Sequence, residues 1–138
     1  MSENFLFGQE HVTRYRETNG EEGHIWREGS TILLLTTTGR NSGEKTTTPL
    51  IYGLDGDNPV IVASKGGAPE HPGWYRNLAK HPEAEVQILG ERFAVRARDA
   101  EGEERERLWT LMNGIWPHYH EYQQKTDREI PAVILERS

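Results

Sequence analysis

The sequence predicts an α+β domain in which short helices flank a small antiparallel β-barrel. Six short runs rich in β-branched and aliphatic residues are separated by tight turns, and strands joined in this way pair antiparallel. Helix-forming segments fill the remaining gaps. Only 34% of the residues are hydrophobic and the mean hydropathy is −0.80, which suits the small interior of a barrel better than an open sheet. At a length of 138 residues, we expect one domain covering 1–138.

Each predicted strand is a short run in which apolar and β-branched residues dominate. In chain order, the six strands are 31–38, 46–52, 60–64, 86–89, 93–98 and 130–135. The second strand contains Pro49, which has no backbone N–H for the sheet, so we expect this strand at an edge. The fourth and fifth strands are joined across Gly90 and Glu91, which predicts a hairpin. Residues 55–58 predict a turn.

Four helices are predicted between and around the strands. They cover 9–19, 72–80, 101–112 and 117–125. Asn19 and Gly20 provide the left-handed ending that commonly closes a helix, and acidic residues open the third helix, as the helix dipole favours. We therefore expect residues 1–22 to form a helical or flexible segment before the first strand.

Charge and composition exclude several classes of protein. Lys and Arg number 16 against 22 Asp and Glu, a formal net charge of −6, which argues against nucleic-acid binding. The absence of cysteine excludes disulfides and thiolate chemistry. We expect a cytoplasmic protein, because no apolar stretch is long enough for a signal peptide or a membrane span. The apolar run Phe5, Leu6 and Phe7 is compatible with a weak peripheral membrane contact or with a terminus tucked into the core.

Familiar catalytic and metal-binding motifs do not match the sequence. Residues 39–46 are superficially similar to a phosphate-binding P-loop, but Glu44 disturbs the spacing, and the segment lies between two predicted strands rather than before a helix. The GxGxxG string of a dinucleotide site is absent. His118 and His120 are two residues apart and would point away from each other on a helix, so we expect no metal site.

Two loops combine cations with backbone that a ligand could approach. The first loop holds Arg40 and Lys45 between the first two strands. The second loop, Ser64-Lys65-Gly66-Gly67, ends a strand and leads to a helix near Pro72. Glycines let a ligand come close to the backbone, and a helix N-terminus favours anions. The two loops together could hold a phosphorylated or polycarboxylated ligand, although composition alone favours an ordinary hairpin and an ordinary loop.

Aromatic residues form a second candidate feature. Trp116, Tyr119 and Tyr122 recur at steps of three, which lays them along one helix face, and Trp74 and Tyr75 occur earlier. Such a face is usually part of a core. Tyrosine hydroxyls and flat rings also suit a pocket for a planar ligand, so both interpretations stay open from the residues alone.

Several blocks of the sequence resemble one known family. Residues 37–43 and 48–50, followed by 63–78, and later 116–123 and 126–131, are similar in this order to the deazaflavin-dependent nitroreductase family. The third block runs from a Ser-Lys-Gly-Gly string to Trp-Tyr-Arg-Asn-Leu and is hard to obtain by chance. The resemblance covers most of the chain.

This resemblance implies a split β-barrel that binds coenzyme F-420, an 8-hydroxy-5-deazaflavin with a phosphodiester and an oligoglutamate tail. Members of the family use the reduced coenzyme to transfer a hydride to quinones, nitroaromatics or other electron-poor organic acceptors. The implied cofactor-binding residues are Arg40, Asn41, Ser42, Lys45, Pro49, Leu50, Tyr52, Ala63, Ser64, Lys65, Gly66, Gly67, Trp74 and Asn77. Arg40 and Lys65 would hold the phosphate and the tail. Asn41 and Thr46 stand where relatives often carry cations.

The same resemblance implies residues on the acceptor side of the cofactor. Tyr119, Tyr122 and Ser64 are the implied catalytic residues, and Trp116, Tyr119 and Tyr122 are the implied substrate-binding residues. Trp116 stands where the nitroreductases that activate drugs have a tyrosine. We expect the hydroxyls of Ser64 and a tyrosine to donate hydrogen bonds to the acceptor oxygens as negative charge develops there.

Two other interpretations of these residues remain open. A related barrel could bind FMN instead, with Arg40 and Lys65 holding its single phosphate. A non-catalytic carrier would use the aromatic face as a pocket for a planar or acyl ligand. For the enzyme, the expected partner is a small-molecule acceptor of the quinone or nitroaromatic type, and the sequence is compatible with a monomer or a homodimer.

Overall fold

The computed structural model describes residues 6–138 of the chain, so Phe5 of the N-terminal apolar run lies outside the described residues. The helices in the described part are α1 (Gly8–Thr18), α2 (Gly73–Lys80), α3 (Gly102–Ile115) and α4 (His118–Gln124). The strands are β1 (Ile32–Thr38), β2 (Lys45–Ile51), β3 (Gly53–Asp55), β4 (Asn58–Val62), β5 (Glu83–Ile88), β6 (Glu91–Asp99) and β7 (Ala132–Arg137). Arg27–Gly29 and Lys65–Gly67 form short 3₁₀ turns. Among the described residues, none of the helices has the length and apolar character needed to cross a membrane.

These strands form one antiparallel sheet in the order β2-β1-β5-β6-β7-β4-β3. The predicted α+β class and the antiparallel pairing are confirmed. The predicted number of six strands is wrong, because β3 adds a seventh strand within residues 6–138. It pairs Gly53 with Val60 and Asp55 with Asn58. A strand of three residues with Leu54 as its one aliphatic side chain carries no recognisable alternation, which is why the pattern missed it.

The sheet curls into a half-barrel because its two end strands are consecutive in the chain. β2 and β3 lie at opposite ends of the strand order, yet Tyr52 alone separates them in sequence. The ends must therefore approach each other, and they do so without joining the hydrogen-bonded order, which leaves the barrel open along that line. Pro49 lies in β2, at an end of the sheet, so the predicted edge position is confirmed.

Side chains of β1 alternate between the inside and the outside of the curled sheet. Leu33 and Leu35 belong to the interior core, whereas Ile32 and Leu34 pack on the outside with Val12 of α1. Burial on both faces explains why the run is continuously apolar rather than alternating. Each fully buried leucine of this kind contributes about 1.5–3 kcal/mol to folding relative to an exposed one.

The remaining helices cover another part of the outer face of the sheet and one end of its interior. Val60 and Ile134 face outward and pack with Leu108 of α3. In contrast, α2 closes the interior through Trp74 and Leu78. The turn Lys65–Gly67 links β4 to α2, and α4 packs directly on this turn. The fold thus brings the two loops and the aromatic residues into one region.

Candidate functional site

A cavity of about 380 Å³ opens where the turn after β4 meets α2, α4, the end of β2 and the N-terminal residues. This volume falls within the range of about 300–1,000 Å³ that is usual for small-molecule sites. The predicted site residues that line the cavity are Pro49, Leu50, Ser64, Lys65, Gly66, Trp74, Trp116, Tyr119 and Tyr122. The structure therefore brings both sides of the predicted site, the cofactor side and the acceptor side, around one space.

The turn at one end of the cavity presents its backbone to the open space. Ser64 has right-handed helical backbone angles, and Lys65 follows in the left-handed region with φ of 47°. This alternation turns successive N–H groups in the same direction, which makes an anion-binding concavity. Gly66, at φ of 64°, lines the cavity, and a Cβ added there would meet no protein atom within 4 Å. A ligand can therefore lie directly against this backbone.

Arg40 does not line the cavity but is anchored beside it. Its Nη1 donates to Asn77 Oδ1 at 2.9 Å and to the backbone oxygen of Gly73 at 3.4 Å. Asn77 is buried and donates from Nδ2 to Thr37 Oγ1 at 3.1 Å, which ties α2 to the end of β1. The Arg40 guanidinium consequently lies on the first turn of α2, next to Trp74 in the cavity wall. Arg40 is thus bonded to the helix that follows the Lys65–Gly67 turn in the chain.

Other predicted cofactor-binding residues lie away from the cavity lining. Lys45 donates to Thr38 Oγ1 at 2.9 Å, and Ser42 accepts the N–H of Glu44 at 3.1 Å; both are interactions within the β1–β2 hairpin, where Asn41 is exposed. A further group is buried beneath the site: Tyr52, Ala63 and Gly67. The hydroxyl of Tyr52 contacts His24 Nε2 at 2.9 Å, and the backbone of Gly67 packs on α4.

Tyr119 and Tyr122 of α4 line the cavity together with Trp116. The rings of the two tyrosines meet edge to face, with centroids 6.2 Å apart, and Trp116 Nε1 donates to the Tyr122 hydroxyl at 3.4 Å. Burial raises the pKa of Tyr119 above its ordinary value. Its hydroxyl therefore stays protonated across the physiological pH range and is available as a hydrogen-bond donor.

Trp116 reaches the cavity in a different way from the one predicted. Its sequence spacing placed it on the same helix as the tyrosines, but α4 begins at His118, and Trp116 follows the end of α3. The indole lies with its centroid 5.7 Å from that of Trp26. Pro117 interrupts the backbone between the two helices, which a step-of-three pattern does not reveal.

The N-terminal part of the chain forms a wall that the sequence did not predict. Leu6, Phe7, Gly8, His11 and Trp26 line the cavity. Trp26 Nε1 donates to the backbone oxygen of Leu6 at 3.0 Å, and its ring meets Phe7 edge to face at 5.5 Å. The apolar start of the chain was one available signal, but nothing in the local sequence indicates which distant surface it covers. Ile32, Ile51, Val62 and Pro72 complete the lining.

The residues present fit a ligand that is flat at one end and anionic at the other. Lys65 and the bare backbone of Gly66 supply the anion-binding end, and the aromatic wall supplies stacking surface. Reduced coenzyme F-420 has this shape and charge. The cavity is also polar enough at Ser64 to orient a ring through hydrogen bonds.

Comparison with known proteins identifies related sequences and structures. A relative from Mycobacterium tuberculosis, an F420H2-dependent quinone reductase, is 42% identical over 130 residues, which cover 92% of this chain and 87% of the relative. A solved F420-H2 dependent reductase is 46% identical with a TM-score of 0.71 and covers 76% of this chain and 93% of its own. Another solved structure, described as a domain-swapped dimer, is 42% identical with a TM-score of 0.75 over 93% of this chain and 96% of its own.

More distant structures share the fold alone. A haem storage protein from Vibrio cholerae is 13% identical, with a TM-score of 0.59 over 91% of this chain and 89% of its own.

Residues 7–137 match the family model described as F420H2-dependent quinone reductase. The family resemblance that the sequence predicts is confirmed: this chain belongs to the F420H2-dependent quinone reductase family.

Proposed function

We propose that this protein transfers a hydride from reduced coenzyme F-420 to a quinone, with both molecules held in the cavity between the Lys65–Gly67 turn and α4. Family membership supports the type of reaction. The observation that supports the assignment to this site is that one cavity is lined both by Lys65 and Gly66 and by Tyr119 and Tyr122.

The turn and the wall beside it would hold the cofactor. Ser64, Lys65 and Gly66 present backbone and side-chain donors, and Trp74 and Pro49 flank the space in which a flat ring would lie. Lys65 is exposed and free to reach a phosphate or a carboxylate of the tail. The coenzyme supplies a two-electron hydride donor, and the chain supplies its position and surroundings.

Residues of α4 would act on the acceptor. Tyr119, Tyr122 and Ser64 all line the cavity, so an acceptor bound there would lie within reach of their hydroxyls. Hydrogen bonds from these hydroxyls to the acceptor oxygens strengthen as negative charge grows there, which lowers the barrier to hydride transfer. The raised pKa of Tyr119 keeps its proton in place for this role.

The apolar wall favours a quinone over a compact nitroaromatic as the principal acceptor. Leu6, Trp26 and Ile32 extend the cavity beyond the tyrosines with carbon-rich surface. A ring with apolar substituents would bury those substituents there, at about 25 cal/mol per Å² of apolar area removed from water. A compact nitroaromatic would place its ring in the same position but would not bury this apolar surface.

For assembly and location we propose a cytoplasmic homodimer. A solved structure at 42% identity is described as a domain-swapped dimer, which supports the homodimer. The apolar pair Leu6 and Phe7 is engaged with Trp26, so any membrane contact through this segment would be weak and peripheral.

The experiment that tests the cofactor assignment is a fluorescence titration with coenzyme F-420 and, separately, with FMN. We expect saturable binding of F-420 and weaker binding of FMN. The change Lys65→Ala should weaken F-420 binding about fivefold at low salt and about twofold at 0.5 M salt, since an exposed ion pair is modest and screened. Arg92→Ala removes an exposed cation that does not line the cavity and should leave the affinity unchanged. Preferential FMN binding, or equal losses in the two variants, would contradict the assignment.

The same protein tests the acceptor side. Tyr119→Phe and Tyr122→Phe should each lower the rate of quinone reduction about 10- to 100-fold, since each removes a hydroxyl donor from the acceptor end. Both changes should leave the F-420 dissociation constant within about twofold, because a phenylalanine keeps the ring packing. Parallel loss of binding and turnover would place the tyrosines on the cofactor side. Tight F-420 binding without reduction of any quinone would identify a carrier.

A further inference from the structure

The side chain of Arg128 donates most of its hydrogen bonds to the backbone on either side of the proposed cofactor turn. Arg128 is half-buried in the loop between α4 and β7. Its Nη2 donates to the backbone oxygen of Ser64 at 2.7 Å, its Nη1 to that of Ala63 at 3.1 Å, and its Nε to that of Ala68 at 2.9 Å. These carbonyls lie immediately before and after the turn Lys65–Gly67.

A fourth contact fixes the far side of the same segment. Arg128 Nη1 lies 3.1 Å from His71 Nδ1. A guanidinium can only donate, so Nδ1 must accept and the ring must carry its proton on Nε2. Burial first, and the neighbouring guanidinium second, lower the pKa of His71. The neutral ring that this contact needs is therefore the favoured form.

The backbone of Arg128 is held in turn by the acceptor helix. Gln123 of α4 donates from Nε2 to the backbone oxygen of Arg128 at 2.7 Å and accepts the N–H of Ile130 at 2.9 Å. Gln123 follows Tyr122 directly in α4. One side chain thus connects the segment that carries Lys65 to the helix that carries the tyrosines.

Such bonding matters because the turn is conformationally strained. Lys65 is a non-glycine residue in the left-handed region, which costs about 1 kcal/mol or more and persists where the surroundings fix it. Within the turn, Gly67 N–H donates to Ser64 and Ala68 N–H donates to Lys65, at 3.0 and 3.1 Å. The bonds from Arg128 therefore add to these two backbone bonds in holding three successive residues with positive φ.

We propose that Arg128 is a positioning residue that holds the Ser64–Ala68 backbone in its cofactor-binding conformation and at a set distance from α4. This inference rests on the proposed function, because it takes that turn as the cofactor site. Arg128 itself is directed at backbone carbonyls and does not line the cavity. Its effect on the cofactor is therefore exerted through the turn.

The test compares Arg128→Gln and Arg128→Lys with Arg105→Gln. Arg105 is a matched control, since it is also half-buried and donates to a backbone carbonyl of the same loop, Ile130, at 2.6 Å. It makes no hydrogen bond to the turn. The readouts are hydrogen exchange of the Gly67 and Ala68 amides without cofactor, the F-420 dissociation constant, and the melting temperature.

We expect Arg128→Gln to speed exchange of the Gly67 and Ala68 amides at least about tenfold and to raise the F-420 dissociation constant by a similar factor. Arg128→Lys should also raise the exchange rates and the dissociation constant, because an ammonium cannot reach three divergent carbonyls. Both changes should be smaller than in Arg128→Gln, because the lysine keeps the positive charge and a donor. Arg105→Gln should leave both values within about twofold while lowering the melting temperature. If Arg128→Gln does not fold, the comparison of Arg128→Lys with Arg105→Gln carries the test.

Unchanged amide exchange in the Arg128 variants would overturn the positioning role, whatever happens to binding. Faster exchange with unchanged F-420 affinity would overturn its connection to the cofactor. The proposed function fails separately, when the unmodified protein does not bind F-420 or when Lys65→Ala leaves its affinity unchanged. The exchange measurement uses no cofactor, so the two failures are distinguishable.

Discussion

His118 lies between two carboxylates, next to Trp116 of the cavity lining. Its Nε2 is 2.9 Å from Glu28 Oε2, and its Nδ1 is 2.9 Å from Glu121 Oε2. The ring also packs on Trp116, with centroids 4.7 Å apart. Hydrogen bonds to Glu28 and then to Glu121 raise the pKa of His118 above its ordinary value. The charged form of this residue therefore connects the turn Arg27–Gly29 to α4.

This arrangement predicts a pH dependence with a definite sign. The pKa of His118 is higher in the folded than in the unfolded protein, so its contribution to stability is complete below about pH 6.5 and is lost as the pH rises through the folded value. The melting temperature of the unmodified protein should exceed that of His118→Gln by more at pH 6 than at pH 9. The measurement is thermal unfolding of both proteins across this range.

Glu28→Gln provides the control for this prediction. Removing the carboxylate that contributes most should bring the pKa of His118 back toward its ordinary value, which nuclear magnetic resonance titration of the ring would record. A melting-temperature difference that is independent of pH would show that His118 stabilises by packing rather than by charge.

Individual site residues were predictable to the extent that their roles are local. Lys65 and Gly66 were named through the family resemblance, of which the Ser-Lys-Gly-Gly string is a local signal, whereas the residues alone favoured an ordinary loop. Arg128 and Trp26 had no such signal. Arg128 meets carbonyls 60, 64 and 65 residues earlier, and which carbonyls a guanidinium meets depends on the completed fold.

At the scale of elements, the contact between the Lys65–Gly67 turn and α4 sets the width of the cavity. A Cβ added to Gly67 would lie 2.6 Å from the backbone oxygen of Tyr122 and 3.1 Å from Lys125 Cβ. The residue also has φ of 85°, where L side chains are strained. Glycine at this position lets the turn and α4 pack backbone to backbone.

We therefore predict that Gly67→Ala and Gly66→Ala have different consequences. Gly67→Ala must push α4 away and should cost about 2–4 kcal/mol of stability, from backbone strain and overpacking together. Gly66→Ala places its methyl in open space and should cost about 1 kcal/mol, from its φ of 64° alone. That methyl occupies the cavity, so the free energy of F-420 binding should fall by more than the free energy of unfolding does.

Urea unfolding and F-420 titration of the two variants check this prediction. Equal losses of stability would mean that α4 moves freely and does not set the cavity width. Undiminished affinity in Gly66→Ala would mean that the cofactor does not lie against this part of the backbone.

Strands with long sequence patterns were predicted more accurately than strands with short ones. β1 and β6 were located because seven and nine residues carry a repeated preference for strand. β3 is too short for that, and its pairing follows from the turn that joins it to β4. The start of α4, predicted at Pro117, lies one residue from the observed start, but Trp116 does not share this helix with the tyrosines, because the helical spacing continues across Pro117 although the helix does not.

For the whole molecule, the cavity joins parts of the fold that are distant in sequence. Its walls come from the N-terminal residues, β2, the turn after β4, α2 and α4. Chain composition predicted the layers of this fold, since a low apolar content favours a small curled sheet. The line along which the sheet stays open was not predictable, because it depends on how far the ends of seven paired strands approach after curling.

Because the walls are so dispersed, the cavity exists only in the folded protein, and cofactor binding should stabilise the whole domain. At a free F-420 concentration of one hundred times the dissociation constant, we expect about 2.7 kcal/mol of added stability, or about 8–12 °C in melting temperature for a domain of this size. Differential scanning calorimetry measures the shift. At the same F-420 concentration, the melting temperature of Lys65→Ala should rise less than that of the unmodified protein. At one hundred times the variant's own dissociation constant, the two rises should be equal, because the added stability depends only on the ratio of free coenzyme to dissociation constant. A shift below about 2 °C at saturation would mean that the unfolded chain binds the coenzyme almost as well, and the dispersed cavity would then not be its site.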